Sequence, residues 1–207
     1  MNKIKAKLIY DELYKLYPDA VCFLNHKNEY ELVIAVMLSA QTTDERVNSV
    51  TPYLFDKFPD VYSLALSDFD EVFPIIKSLG LAKSKANNMI ALAKKVVEDY
   101  NGIIPNNFTD LCSLPGVGRK TANVVLANAF NVPTIAVDTH VYRVSYRLGF
   151  RKKDDDLLTC ELKLQKYLNK DYWIKMHHML ILFGRNYCKA QNPKCDVCPL
   201  KEYCKNR

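Results

Sequence analysis

One amine and one carboxylate stand out as groups able to do chemistry. Lys120 ends the stretch Leu-Pro-Gly-Val-Gly-Arg-Lys at 114 to 120, and Asp138 follows eighteen residues later in Val-Asp-Thr-His at 137 to 140. A neutral amine can attack an electrophilic carbon and go on to an iminium, which a hydroxyl cannot form. A carboxylate can stabilise a developing cation and assist proton transfers. Between them lies a turn suited to phosphate: Gly116 and Gly118 are expected to take positive φ and leave amides uncovered where a buried helix begins. Each residue also has a plainer reading, a solvated lysine at a helix start and an aspartate that caps a helix.

Two nucleotide-binding motifs fail at this turn. A P-loop would need lysine at Arg119 and glycine at Ser113, and a dinucleotide fingerprint would need glycine at Thr121. A polymer backbone fits better than a nucleotide cofactor. A second chemical group is the cysteine set Cys188, Cys195, Cys198 and Cys204, spaced C-x6-C-x2-C-x5-C. Four soft thiolates suit either zinc or an iron–sulfur cubane. Structural zinc sites more often pair two C-x2-C knuckles, and here only Cys195 to Cys198 has that spacing, which leans toward iron–sulfur. Cys22, Cys112 and Cys160 lie among apolar neighbours and are expected in the core. Seven cysteines in a cytosolic chain do not imply disulfides.

The elements that must position these groups are helical. The N-terminal stretch 1 to 17 places Ile4, Leu8, Leu13 and Leu16 at helical spacing and has no signal-peptide pattern. Ser84 precedes a helix carrying Met89, Ala93, Val97 and Tyr100, with Gly102 as its stop. Thr139 to Leu148 is a helix with Asp138 at its cap position and Gly149 at its end. Residues 172 to 187 form another that runs into Cys188, and Asp154-Asp155-Asp156 opens a further one. The apolar run Leu32 to Leu38 fits strand or helix by periodicity, and its helical neighbours favour helix; it is too short to span a bilayer. Asn131-Val132-Pro133 is the candidate hinge between two lobes.

With 207 residues, 49% apolar and 25% charged, the chain is of globular type. Its net charge of +6 suits a polyanionic partner. The excess gathers in the tail, with Arg185, Lys189, Lys194, Lys201, Lys205 and Arg207, and in a knot of Lys77, Lys83 and Lys85 around the turn Ser78-Leu79-Gly80-Leu81. Solvated lysines at loops would explain either patch equally well.

Taken in order, Leu-Ser-Ala-Gln-Thr at 38 to 42, Leu-Pro-Gly-Val-Gly-Arg-Lys-Thr-Ala at 114 to 122, Val-Asp-Thr-His at 137 to 140 and the cysteine spacing resemble the endonuclease III family of helix-hairpin-helix DNA glycosylases. The resemblance covers nearly the whole chain. It implies an all-α fold of two lobes. One is a six-helix barrel over about residues 23–132 with the hairpin near 111–130. The other is a helical lobe of 1–22 and 133–207, with a four-iron, four-sulfur cluster loop at 188–204. A cleft between the lobes would bring Lys120 and Asp138 together.

The implied activity is excision of oxidised pyrimidines from duplex DNA and strand cleavage at the resulting abasic site. Lys120 matches the family nucleophile and Asp138 its carboxylate. Desolvation, or cations such as Arg119, would help the amine lose its proton. Gln41 and Leu81 match the residues that fill the gap left by an extruded nucleotide. Gly116, Gly118, Arg119, Lys189 and Lys194 are then contacts to the DNA backbone. Asp44 and His140 stand in positions near the pocket, although His140, like His177 and His178, also suits a hydrogen-bonded structural role. The cluster would shape the basic loop and take no part in excision. The expected partner is damaged double-stranded DNA, and the expected state a monomer in the bacterial cytoplasm, with no membrane.

Three competitors are weighed. An adenine-mismatch glycosylase would have glutamate where Val36 stands and usually a further C-terminal domain. A thymine-mismatch relative would have tyrosine in place of Lys120. A non-catalytic DNA-binding protein with a hairpin and a zinc knuckle would explain the basic patches without a reaction.

Overall fold

The computed structural model describes residues 1–205, so Arg207 of the basic tail lies outside them. Among the described residues the regular structure is helical throughout, with no strand. The chain divides into two compact units, Cys22–Asn131 and the combination of Met1–Val21 with Val132 onward.

The first-named unit holds seven helices: α2 (Glu29–Leu38), α3 (Asp44–Lys57), α4 (Val61–Ala65), α5 (Phe69–Ile76), α6 (Ala82–Tyr100), α7 (Phe108–Ser113) and α8 (Arg119–Ala129). The apolar run that periodicity left open is α2, buried from Tyr30 to Leu38. It starts where the Asn28 side chain accepts the Glu31 amide at 2.9 Å. Its neighbours α3, α6 and α8 surround it, which is why it shows no polar face. Each fully buried leucine or isoleucine there contributes roughly 1.5–3 kcal/mol.

The other unit is built from α1 (Lys3–Leu16), α9 (Thr139–Leu148), α10 (Leu157–Tyr167) and α11 (Trp173–Asn186). Its core joins Ile9 and Leu13 of α1, Val141 and Val144 of α9, and Met176, Leu180 and Phe183 of α11. Among the described residues no helix is long and apolar enough to cross a membrane.

Most helices begin on a side-chain cap. Asn2, Asn28, Thr43, Asp60, Asp68, Asn107, Asp138 and Asp156 each accept an amide of the first turn. α6, α8 and α11 do not: they start at Leu81, Gly118 and Tyr172 with no side-chain cap. The start of α6 also corrects the expectation from Ser84, which lies inside the first turn; the chain enters the helix through Leu81 at φ 59.

Candidate active site and cysteine loop

The hairpin between α7 and α8 closes on a bond from the Val117 amide to the Leu114 carbonyl at 3.1 Å. Gly116 has φ +77, and a Cβ there would stand 3.0 Å from Asn88 Cβ and 3.2 Å from Met37 Sδ, so both conformation and crowding require glycine. Gly118 differs from expectation. Its φ is −94 and its ψ 177, ordinary extended backbone. A Cβ at Gly118 would meet nothing within 4 Å. No contact inside the chain demands a glycine there, and the empty shell lies over uncapped amides.

α8 buries Ala122 to Ala127 and leaves Arg119 and Lys120 exposed on its first turn. The Arg119 guanidinium lies across the Phe108 ring, 4.9 Å from its centroid.

Asp138 belongs to the other unit. One of its carboxylate oxygens caps α9, accepting the Val141 amide at 2.7 Å. The segment leading to it, Ile135 to Val137, is buried, and His177 Nδ1 lies 2.9 Å from the Ala136 carbonyl. His140 lies in the first turn of α9, with Nδ1 3.2 Å from Arg143 Nη2. Burial lowers the His140 pKa, against the opposing pull of Asp138 and with help from Arg143 and Arg185. Its geometry fits the structural role.

Arg143 and Arg147 connect α9 to the cysteine loop. Arg143 Nε donates to the Cys188 carbonyl at 3.0 Å and Nη2 to the Gly184 carbonyl at 3.1 Å. Arg147 Nη1 donates to Cys188 Sγ at 3.4 Å and to the Lys189 carbonyl at 2.7 Å. Local sequence around these two arginines carries no sign that they bind the loop. Within the loop, the Lys194 amide returns to the Tyr187 carbonyl, and the Cys198, Lys201 and Cys204 amides each close a tight turn. Cys188, Cys198 and Cys204 are half-buried and Cys195 is exposed.

The donor set fits an iron–sulfur centre. Burial raises the Cys198 thiol pKa, and the Cys188, Cys204 and Cys195 thiols raise it further, so all four are near neighbours. Four soft thiolates brought together in one loop are the ligands that such a centre takes. The other cysteines are less uniform than expected: Cys160 is fully buried, with its thiol pKa pushed up to about 11 by burial, whereas Cys22 and Cys112 are only half-buried.

Lys189 and Lys194 line a polar depression of about 330 Å³ together with Tyr17, Arg185, Asn186 and Tyr187. Gln41 and Leu81 stand on two exposed turns of the first-named unit. Both have left-handed backbone, φ 52 and φ 59. The remaining non-glycine residues with positive φ among the described ones are asparagines, which tolerate that region as Gln and Leu do not. Sequence alone gave no sign of this strain. Asp44 opens α3, half-buried beside its cap Thr43. Lys85 corrects the reading of an exposed basic knot: Lys77 and Lys83 face solvent, but Lys85 is 4% exposed.

Comparison with known proteins bears on what these groups serve. The profile of the HhH-GPD superfamily base excision DNA repair proteins matches residues 34–170. Endonuclease III of Bacillus subtilis is 46% identical over 205 residues, covering 99% of this chain and 94% of that protein. The chain belongs to the endonuclease III family. The iron–sulfur binding domain of endonuclease III matches residues 188–204, from the first clustered cysteine to the last, and the cofactor of this endonuclease III relative is a four-iron, four-sulfur cluster. Endonuclease III of Escherichia coli K12 is 41% identical, with 99% of this chain and 96% of that protein covered. A solved structure of a trapped endonuclease III–DNA covalent intermediate superposes with a TM-score of 0.95 at 47% identity, over 99% of this chain and 96% of the other. A thermostable thymine-DNA glycosylase shares the fold at a TM-score of 0.86 and 22% identity, over 97% of this chain and 95% of that one.

Proposed function

We propose that this chain is a bifunctional DNA glycosylase and abasic-site lyase of base excision repair, acting on oxidised pyrimidines in duplex DNA. The observation that carries the reading is the α8 start. Gly118 leaves uncapped amides with no Cβ above them, and the exposed Lys120 follows two residues later. The amides take a phosphate of the backbone, which sets the amine beside the neighbouring sugar.

Lys120 Nζ forms a bond to C1′ as the glycosidic bond breaks and the base leaves with a proton. Ring opening gives an iminium. Loss of a C2′ proton then expels the 3′ phosphate, and water hydrolyses the iminium to return the amine. Asp138 stabilises the cationic sugar and assists the proton transfers. Its second duty, capping α9, fixes the carboxylate's orientation.

Cys188, Cys195, Cys198 and Cys204 would hold the cluster, which supplies a cross-link for the basic loop. Lys189 and Lys194 then contact phosphates, with Arg185 lining the same depression. Gln41 and Leu81 fill the gap left by the extruded nucleotide. The reading includes action as a monomer in the bacterial cytoplasm.

The test incubates the holoprotein with an abasic-site duplex and borohydride. A covalent adduct that disappears in Lys120→Ala supports the lyase; no adduct, or one that survives the substitution, rules it out.

A further inference from the structure

The turns that carry Gln41 and Leu81 lie against each other. A Cβ on Gly80 would come within 3.0 Å of the Gln41 carbonyl oxygen and 3.7 Å of Thr42 Oγ1. Leu81 is 55% exposed at the start of α6. Two polar braces cross between the turns. Arg46 Nη2, from α3, donates to the Ser78 carbonyl at 2.5 Å. Lys85, one turn into α6, donates from Nζ to the Leu38 carbonyl at 2.7 Å and to Thr42 Oγ1 at 2.9 Å.

Lys85 is the less ordinary of the two. It is a cation at 4% exposure, and these two acceptors are neutral oxygens. Burial lowers its pKa. Leu38 ends α2, so its carbonyl is among those a helix end leaves without an intrahelical partner, and a positive charge favours the negative end of the helix dipole. The acceptors bracket Gln41: Leu38 precedes it by three residues and Thr42 follows it by one. A buried ammonium therefore grips both sides of the Gln41 turn from the helix that Leu81 begins.

We propose that Lys85 is a positioning residue for nucleotide extrusion, holding the Gln41 and Leu81 turns in one fixed register so that both side chains enter the duplex together. The inference rests on the gap-filling roles given above to Gln41 and Leu81. Left-handed backbone at a glutamine and a leucine persists only where the surroundings hold it, and the Lys85 bonds are such a hold. Lys85 touches no DNA in this scheme and acts through the two turns.

The experiment compares Lys85→Met, Lys85→Arg and Thr42→Val holoproteins with the parent, each checked for thermal unfolding. Thr42→Val removes one acceptor and leaves the lysine in place, a gentler cut should Lys85→Met fold poorly. Single-turnover excision is measured on two duplexes, one with the damaged base paired and one with it in a bulge lacking an opposite nucleotide, where extrusion is easier. A 2-aminopurine beside the lesion reports extrusion directly.

Lys85→Met is expected to slow both the fluorescence change and excision about tenfold on the paired duplex and less than twofold on the bulge, with Lys85→Arg recovering most of the rate. Thr42→Val should show the same asymmetry at a smaller size. Equal slowing on both substrates, or none on the paired one, overturns the role. Leu81→Ala and Gln41→Ala separate the two levels of the argument. If these also leave the paired-to-bulge ratio unchanged, the gap-filling reading itself fails; if they change it and neither Lys85→Met nor Thr42→Val does, only the Lys85 inference fails.

Discussion

Arg147 Nη1 donates to Cys188 Sγ at 3.4 Å, so a permanent cation on α9 faces the first cysteine of the loop. Hydrogen bonds and positive charge at a cluster thiolate favour the more negative, reduced form. Arg147→Met is therefore expected to lower the cluster's reduction potential, measured by voltammetry of the holoprotein. A potential that stays put or rises would remove Arg147 from the cluster's electrostatics.

Asp138 carries two duties that substitution can separate. Asparagine caps a helix about as well as aspartate, so Asp138→Asn should melt close to the parent while excision falls roughly 10²–10⁴-fold, the scale of losing a positioned acid–base group. Asp138→Ala should lose a similar amount of activity and also about 1 kcal/mol of stability with the cap. Equal melting temperatures for the two variants would mean that the bond to the Val141 amide contributes nothing.

Lys120→Ala should retain the cluster's absorbance and the fold, because its side chain is exposed. Excision by single-turnover assay should fall by roughly 10³-fold or more, the order seen when a covalent nucleophile is removed. A smaller loss would place the nucleophile elsewhere.

The two hairpin glycines should respond in opposite ways to alanine. Gly116→Ala forces a side chain into φ +77 against Asn88 and Met37, a strain of about 1–2 kcal/mol before any clash. Gly118→Ala meets open space and should change denaturant stability by less than about 1 kcal/mol, yet weaken duplex binding by fluorescence anisotropy. Unchanged binding would show that no DNA group approaches Gly118.

Stability should decline on the acid side of neutrality through His178. Burial, with His177 and Lys175 adding to it, pushes its pKa down to about 3. The unfolded ring titrates near 6.5 and so binds a proton that the folded ring refuses between these values. Stability then rises with pH across that window and is lost as pH falls from about 6.5 toward 3. Going from pH 7 to pH 5 should remove up to about 2 kcal/mol at 1.36 kcal/mol per unit. Denaturant titrations at the two pH values check this, and a His178→Asn variant with an equally steep loss would assign the effect elsewhere.

The residues proposed to carry the chemistry are singled out by local pattern. A lysine after a glycine turn, an aspartate before an amphipathic helix and a fixed cysteine spacing need only neighbouring sequence. Lys85 was not legible. Lysines in a run read as solvated, and the acceptor that draws this one inward, the Leu38 carbonyl, lies forty-seven residues away along the chain. Gly118 was read correctly as a turn residue and wrongly as a positive-φ one, because glycine supplies both conformational freedom and an absent side chain, and sequence does not say which is used. The left-handed Gln41 and Leu81 were hidden for a related reason: tertiary bonds hold them against their own preferences.

Both ends of the cysteine loop are fastened to α9. Arg143 holds the Cys188 carbonyl, and the Lys205 amide donates to the Arg147 carbonyl at 2.8 Å. The two termini of the loop are thereby held on one rigid helix, which reduces the entropy cost of keeping the loop closed. The spacing between the first cysteine and the last is set by α9 as well as by the loop's own turns.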